Sequence, residues 1–182
     1  MIAKLTLATV AIVALPATAS SCKAVANAGG GAVPFSPLCG DPAPKGKLGL
    51  TDAQARNATT VIRVAIKRDL SRRAAVIGIA TTLQESYLDN SVVGDNGTAF
   101  GIFQQRPVSG WGTVATATDP EVAAGKFYSR LVKVKRWDTR PLTEAAQAVQ
   151  RSAFPNAYAK HEAKAEWIVA KLAPRACKEA GQ

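Results

Sequence analysis

The sequence predicts a mainly α-helical fold with little or no β structure, organised around one buried central helix. From Ala74 to Gln84 the chain carries no charged residue, and a helix without charge around its circumference is normally buried in a core. Helical spacing gives this segment one apolar stripe, formed by Val76, Ile79, Ala80, Leu83 and Tyr87. Strand signals are weak, since only Phe100 to Gln105 could join a small β element.

Start signals set the order of the other helices. Thr51 caps the first helix with Asp52 in its first turn, and the apolar side of that helix carries Ala58, Val61, Ile62, Ala65 and Ile66. Ser71 opens the central helix. A further helix begins at Asp119-Pro120-Glu121, with Asp as the cap and Pro at the first position, and leads through Val122, Ala123, Phe127 and Leu131.

Two more helices follow towards the end of the chain. One begins near Pro141-Leu142-Thr143-Glu144 and places Ala145, Ala148 and Val149 on its apolar side. The last begins near Pro155 and reaches Leu172. We expect it to stop before Pro174, because proline normally ends a helical pattern.

Residues 1–19 have the features of a secretory signal that is removed from the mature protein. Lys4 precedes an apolar run from Leu5 to Leu15, and the segment ends on the small residues Ala17-Thr18-Ala19. The run is too short to span a bilayer comfortably, so we expect export. The next residues, Ser20-Ser21-Cys22, loosely resemble a lipoprotein box, which leaves a lipid anchor at Cys22 as an alternative to plain secretion.

The rest of the chain divides into an arm and one domain. Six of the 14 Gly and four of the 10 Pro lie between Lys23 and Gly49, which predicts a Gly/Pro-rich arm or linker over residues 20–47. Residues 48–182 form the domain with a C-terminal tail, and a chain of 182 residues is long enough for one sizeable core.

Three cysteines in an exported chain predict one disulfide and one remainder. If Cys22 is lipidated, Cys39 and Cys177 are left to pair and fasten the arm to the far end of the domain. If Cys22 is not lipidated, three pairings are open. We predict the Cys39–Cys177 bridge. No C-x-x-C motif is present, so metal binding by these cysteines is not expected.

Glu85 is the first charged residue after the uncharged segment, at the C-terminal end of the central helix. The unpaired carbonyls of a last helical turn disfavour an anion, and apolar neighbours add a desolvation penalty of the same sign. Both effects raise the pKa of a carboxyl group towards that of a proton donor near neutral pH. The alternative is a Glu whose side chain simply extends into water.

The segments after Glu85 resemble a known family. Glu85-Ser86 is followed by GDNGTAFGIFQ from Gly94 to Gln104, and then by RPVSGWGT, Asp119-Pro120 and PLTEAAQAVQRSAFPNAYAKHE. Glu-Ser and the Gly-x-x-Gln run resemble the signatures of lysozyme-like soluble lytic transglycosylases, and Gly-Asp-x-Gly-x-x-Phe-Gly-x-x-Gln is closer to goose-type lysozymes. The longer segments resemble a lysozyme-like domain common in secreted actinobacterial proteins. The resemblance covers the chain from about Leu48 to Leu172.

This resemblance implies a lysozyme-like fold and an enzyme that cleaves peptidoglycan. The bond would be the β-1,4 link between N-acetylmuramic acid and N-acetylglucosamine, cleaved by a muramidase or a lytic transglycosylase. Glu85 would protonate the glycosidic oxygen, with Ser86, the Gly101 backbone and Gln104 shaping the site. Asp95 stands where goose-type lysozymes carry a water-positioning Asp, but Gly-Asp-Asn-Gly is also ordinary turn chemistry. We lean slightly towards a catalytic Asp95.

One motif departs from the family pattern. The transglycosylases have an Ala-Tyr-Asn segment whose Tyr lies beside the catalytic Glu, whereas this chain has Ala148-Val149-Gln150-Arg151-Ser152 at the corresponding place. The departure allows a second hypothesis, in which the domain is a non-catalytic peptidoglycan-binding or cell-wall assembly module.

Charge favours a cell-wall partner. The formal net charge is +10, and +9 once Lys4 leaves with the signal. In an exported chain without nucleic-acid-binding motifs, such charge predicts a secreted or wall-associated protein that binds peptidoglycan and anionic wall polymers. We expect a monomer with no nucleic acid partner and no cofactor, which contacts a membrane only if Cys22 is lipidated.

Two further residue types limit the alternatives. His161 is the one histidine of the chain, so a His-dependent hydrolase or a catalytic zinc site is disfavoured, and we expect His161 to pack or hydrogen-bond on the last helix. Trp111 lies between two glycines and could stack on a sugar face or anchor a loop in the core. Trp137 and Trp167 are expected to be structural.

Overall fold

Helices dominate the computed structural model, which describes residues 38–152 and 154–182. Helix accounts for 58% and strand for 3%, so the mainly α prediction is confirmed. The six α-helices of the described residues are α1 Asp52–Lys67, α2 Arg72–Glu85, α3 Val114–Ala117, α4 Pro120–Leu131, α5 Leu142–Gln150 and α6 Glu162–Ala180. Our predictions for the secretory signal, the Cys22 junction and the first part of the arm lie outside the described residues.

The predicted starts of α1 and α4 are confirmed. Thr51 and Gln54 form a reciprocal capping box, in which Thr51 Oγ1 accepts from the Gln54 amide at 3.2 Å and Gln54 Oε1 accepts from the Thr51 amide at 2.8 Å. At α4, Asp119 Oδ1 accepts from the amides of Glu121 and Val122 at 2.9 and 3.1 Å. These side chains satisfy amides that a helix start leaves without backbone partners.

The central helix α2 is buried as predicted. Every residue from Ala74 to Leu83 is buried, and α2 contacts α1, α4, α5 and α6. Gly78 lies in its middle because Tyr128 approaches too closely for a side chain: a Cβ at Gly78 would lie 2.5 Å from the Tyr128 hydroxyl. That hydroxyl donates to the Val61 carbonyl of α1 at 3.3 Å. α2 therefore packs closely against α1 and α4 at the centre of the core.

The end of α2 differs from the prediction at Tyr87. The helix ends at Glu85, and Tyr87 and Leu88 adopt left-handed φ angles of 55° and 66°. Tyr87 is consequently 45% exposed rather than part of the buried stripe, whereas Leu88 is fully buried. Amides from α1 hold this turn, since Gln54 Nε2 and Asn57 Nδ2 donate to the carbonyls of Tyr87 and Leu88 at 2.9 and 2.8 Å.

The predicted small β element is present as a two-stranded antiparallel sheet. Its strands are β1 Val93–Gly94 and β2 Ala99–Phe100, with Val93 opposite Phe100 and Gly94 opposite Ala99. An isolated bridge also joins Phe100 to Gln105. The turn between the strands, Asp95–Gly97, is a short 3-10 helix.

Our predicted bounds for the last helix are wrong at both ends. Residues after Pro155 form turns and a short 3-10 helix, Ala159–His161, before α6 begins at Glu162. α6 then continues through Pro174 to Ala180. Tertiary packing outweighs the hydrogen bond lost at the proline, because Ala173, Ala176 and Cys177 are buried on the core side of the helix.

The described part of the arm packs on α6. A disulfide joins Cys39 to Cys177 with an S–S distance of 1.97 Å, which is the pairing we predicted. Leu38 is buried, Lys171 Nζ donates to the Pro44 carbonyl, and a Cβ at Gly46 would lie 2.9 Å from the Trp167 ring. Over the described ranges, no helix is both long and apolar enough to cross a membrane.

Candidate active site

Glu85 lines a cleft with a volume of about 980 Å³. It is the last residue of α2 and is half-buried, so the uncharged helix delivers a carboxyl group from the core to the cleft floor. The cleft is built by the end of α2, the β1–β2 turn, the loop before α3, and the segment between α5 and α6. Polar side chains from these segments line it, among them Asp95, Gln104, Arg106, Gln150 and Tyr158.

Burial raises the pKa of Glu85, the direction expected from the sequence. Loss of hydration is the largest cause, and the negative charge of Asp95 acts in the same direction. Hydrogen bonding from Tyr158 and the nearby Gln150 amide partly offsets the rise, because both favour the ionised carboxylate. A carboxyl with a raised pKa holds its proton closer to neutral pH, as a general acid requires.

Tyr158 supplies a hydroxyl to this carboxyl, and the sequence reasoning missed it. Its side chain is fully buried, and its hydroxyl donates to Glu85 Oε1 at 2.8 Å. Burial, followed by the Glu85 charge, raises the pKa of Tyr158, so the phenol stays a proton-bearing donor. The signal in the sequence was Ala157-Tyr158, which lies farther along the chain than the segment compared with the Ala-Tyr-Asn pattern and shares its first two residues.

Gln150 lies in the segment that departs from the Ala-Tyr-Asn pattern of the transglycosylases. It is the last residue of α5 and lines the cleft. Its Nε2 donates to the Phe103 carbonyl at 2.8 Å, which ties α5 to the loop after β2. Val149-Gln150-Arg151-Ser152 therefore lines the cleft, with an amide rather than a phenol at residue 150.

Asp95 lies in the same cleft as Glu85. It starts the turn between β1 and β2, and its side chain is 63% exposed. Arg106 Nη1 lies 3.4 Å from Asp95 Oδ2, an exposed ion pair worth little to stability. The structure therefore brings the two predicted catalytic carboxyls to one cavity, one half-buried and the other in contact with solvent.

Gln104 shapes the cleft wall as a fixed rather than a mobile amide. Its Nε2 donates to the carbonyls of Val92 and Gly101 at 3.0 and 2.9 Å. Gly94 leaves room for it, since a Cβ there would lie 2.3 Å from Gln104 Oε1. The geometry leaves Gln104 Oε1 beside the β1–β2 turn that carries Asp95.

Ser86 and Gly101 lie behind the cleft instead of lining it, which corrects our expectation of direct substrate contact. Ser86 is buried and donates through Oγ to the Ile102 carbonyl at 2.9 Å. Gly101 has φ +69°, and a Cβ there would lie 2.2 Å from the Ala117 carbonyl oxygen. Ser86 fastens the loop after β2 to the end of α2, whereas Gly101 packs against Ala117 of α3 and accepts from Gln104 Nε2.

Trp111 is an anchor of the cleft wall rather than an open sugar platform. It is only 6% exposed, and the Arg130 guanidinium lies 3.4 Å from the centroid of its ring. The exposed aromatic at the cleft is Phe154, which is 73% exposed and was not identified from the sequence. An aromatic ring left in water at a cleft offers the flat apolar face that sugars stack on.

Backbone strain collects around this cleft. Eight described non-glycine residues have positive φ, and four of them line it: Asp95, Asn96, Gln104 and Arg151. Such conformations cost about 1–3 kcal/mol each for ordinary residues and cluster at functional sites. Asn tolerates the left-handed region, whereas Gln and Arg gain nothing locally from it, so these two residues hold unfavourable backbone conformations at the cleft.

His161 lies outside the cleft and has a structural contact. In the 3-10 helix before α6, its Nε2 is 3.2 Å from Gln84 Oε1. Burial and the charges of Lys160 and Lys164 lower the pKa of His161. It packs as expected, although just before the last helix rather than on it.

The chain matches no protein-family model, and no curated protein matches it. The chemistry of the site therefore follows from its own geometry. That geometry is a half-buried carboxyl with a raised pKa, a buried phenol bonded to it, and a second carboxyl in the same cavity.

Proposed function

We propose that the protein is an exported enzyme with a lysozyme-like fold that cleaves the β-1,4 glycan strand of peptidoglycan. The observation that carries the proposal is the environment of Glu85: a carboxyl at the end of an uncharged buried helix, with a raised pKa, at the floor of an open cleft. Cleavage between N-acetylmuramic acid and N-acetylglucosamine requires a carboxylic acid that donates a proton to the leaving oxygen, and no metal enters that step.

Glu85 and Tyr158 would act together during proton transfer. Protonated Glu85 donates its proton to the glycosidic oxygen as the bond breaks, which leaves an ionised carboxylate in a poorly hydrated place. The Tyr158 hydroxyl, already 2.8 Å from Oε1, stabilises that charge through a hydrogen bond. The same bond holds the carboxyl in one orientation before the reaction.

Asp95 would position the attacking water in a hydrolytic reaction. Inverting glycosidases use a second carboxylate about 6.5–9.5 Å from the acid to activate water, and exposure leaves water access to Asp95. Arg106 Nη1, 3.4 Å from Asp95 Oδ2, would help to orient that carboxylate. In a transglycosylase the sugar's own hydroxyl replaces this water, and Asp95 is then only a turn residue.

The walls of the cleft suit a glycan strand. Gln104 and Asn96 present amides, and Phe154 presents an exposed ring, which matches the mixture of polar edges and apolar faces of a sugar chain. The formal net charge of +10 draws the protein towards an anionic wall in a salt-dependent way.

A wall-clearing assay that also measures binding separates this proposal from the non-catalytic module. Purified wild-type protein and Glu85→Gln are incubated with purified cell walls, and both turbidity and the sedimented protein are followed. We expect the wild type to clear walls and Glu85→Gln to bind them without clearing. Glu144→Gln, an exposed Glu on α5 outside the cleft, is the matched control and should clear normally. A wild type that binds walls but never clears them would establish the binding module instead.

A further inference from the structure

Two arginines in the cleft have no acidic partner in the part of the chain that the structure describes. Arg130, near the end of α4, and Arg151, just after α5, both line the cavity that contains Glu85. Among residues 38–152 and 154–182, no carboxylate lies within 4.0 Å of either guanidinium. The two acids that line the cleft have other partners, because Glu85 accepts from Tyr158 and Asp95 pairs with Arg106.

Arg130 is held rigidly. Its guanidinium stacks on the Trp111 ring at 3.4 Å from the centroid, and its Nη2 donates to the Gly110 carbonyl at 2.7 Å. Lys126, one turn earlier on α4, donates to the Trp111 carbonyl at 2.6 Å and to Thr116 Oγ1 at 2.7 Å. α4 thus fixes the loop and the guanidinium together, which reduces the ordering cost of binding a ligand.

Arg151 is the exposed member of the pair. It follows α5 with φ 56° and ψ 40°, a left-handed backbone conformation that is unfavourable for an arginine. Both guanidiniums line the same cavity, and burial, followed by the charge of Arg151, lowers the pKa of Arg130. Two neighbouring guanidiniums without a carboxylate repel each other, and a bound anion relieves that repulsion.

We propose that Arg130 and Arg151 form a subsite for a carboxylate carried on the sugar chain that occupies the cleft. The inference rests on the proposed glycan-cleaving function and names what the site selects. Peptidoglycan and chitin share the β-1,4 backbone, but only muramyl residues carry a lactyl group, which bears carboxylates directly or through its peptide. A guanidinium fork binds carboxylate with two parallel hydrogen bonds, so the pair would select muramyl strands over uncharged ones.

Two small sugars test this subsite without any bond cleavage. N-acetylmuramic acid and N-acetylglucosamine differ by the lactyl carboxylate, and inorganic phosphate serves as a plain anion. Each is titrated into the purified protein while the Nε–Hε signals of arginine are followed by NMR, with assignments from Arg130→Gln and Arg151→Gln. Arg56→Gln is the control, because Arg56 is an exposed arginine on α1 outside this cleft and loses the same charge.

We expect N-acetylmuramic acid to shift the signals of both arginines and to bind about tenfold more tightly than N-acetylglucosamine, the gain of one charge-assisted hydrogen-bonded pair. Arg151→Gln should abolish this difference, and Arg56→Gln should keep it. Equal affinity for the two sugars, no binding of either, or phosphate binding as tight as that of N-acetylmuramic acid would overturn the proposal. Since no turnover is needed, a failure here is distinct from a failure of wall cleavage by the wild type.

Discussion

The hydroxyl of Tyr158 donates a 2.8 Å hydrogen bond to Oε1 of Glu85, which joins the segment before α6 to the last residue of α2. Tyr158 is fully buried, so the bond is shielded from water on the phenol side. It also opposes the effect of burial on Glu85: burial raises the pKa of the carboxyl, and this bond lowers it. The balance between the two sets the pH range in which Glu85 can act as an acid.

Removing the hydroxyl should therefore move the pH dependence of activity. In Tyr158→Phe the pKa of Glu85 rises further, because the bond that favours the ionised form is lost while burial remains. The basic limb of the rate profile, where Glu85 loses its proton, is expected at higher pH than in the wild type. The measurement is the rate of wall cleavage as a function of pH.

Tyr128→Phe is the matched control for that prediction. Tyr128 is equally buried, and its hydroxyl donates to the Val61 carbonyl at 3.3 Å, away from Glu85. Losing one such buried bond should cost about 1–3 kcal/mol of stability and leave the pH profile in place. The same basic limb in Tyr158→Phe and the wild type would show that the phenol does not tune Glu85.

Glu85→Gln should stabilise the protein at neutral pH. The folded pKa of Glu85 lies above the ordinary value of a Glu, so the fold holds the proton more tightly than the unfolded chain does. Stability is then lost as the pH rises from the unfolded pKa through the folded one. Gln keeps an oxygen that can accept from Tyr158 and never ionises.

Thermal unfolding at two pH values checks this expectation. The melting temperature of Glu85→Gln should exceed that of the wild type at pH 7, and the difference should shrink at pH 4, where more of Glu85 is protonated in both states. A mutant that is less stable at pH 7 would contradict the view that Glu85 is ionised at a cost in stability. A Glu85→Gln protein that is more stable at pH 7 and inactive would show that activity and stability oppose each other at this residue, as is common at catalytic sites.

Asp95→Asn should distinguish a hydrolase from a transglycosylase. If Asp95 holds the attacking water, the wild type releases muropeptides with hydrated reducing ends, and the substitution lowers their rate of release by about 10²–10⁴-fold, the usual contribution of a general base. Mass spectrometry of the soluble products reads both outcomes. If anhydro ends form equally well in Asp95→Asn, Asp95 has no catalytic role and is an exposed turn residue.

The Cys39–Cys177 disulfide should contribute strongly to stability and little to catalysis. It closes a loop of 138 residues, and the chain-entropy model assigns about 4–5 kcal/mol to a loop of this size, with measured losses of about 2–5 kcal/mol. The double substitution Cys39→Ser with Cys177→Ser should lower the denaturant midpoint and leave the rate per folded molecule unchanged. A midpoint equal to that of the wild type, or non-reducing peptide maps with both residues as free thiols, would refute this role.

Sequence periodicity and capping predicted most of the helical framework, because those signals are local. Thr51, Asp119 and the uncharged segment before Glu85 each specify their structure within a few residues. The predicted end of the last helix was wrong because burial of Cys177 and its neighbours outweighs the helix-breaking effect of Pro174. Local sequence cannot show this burial.

The site was predicted only in part, for a similar reason. Glu85, Asp95 and Gln104 belong to one continuous motif, and the structure brings them to one cleft. Tyr158 reaches Glu85 from 73 residues away in sequence, and the covering of Trp111 by Arg130 is a contact between separate elements. Neither relationship leaves a periodic pattern in the sequence.

Release of soluble glycan fragments from purified peptidoglycan by wild type and Glu85→Gln tests the central claim most directly. We expect fragments with cleaved β-1,4 bonds from the wild type, and a rate at least about 10²-fold lower from Glu85→Gln, the lower end of what a general acid contributes. Circular dichroism of the mutant should match that of the wild type, so that the loss is chemical rather than structural. Fragment release by Glu85→Gln at the wild-type rate would contradict the assignment of Glu85 as the catalytic acid.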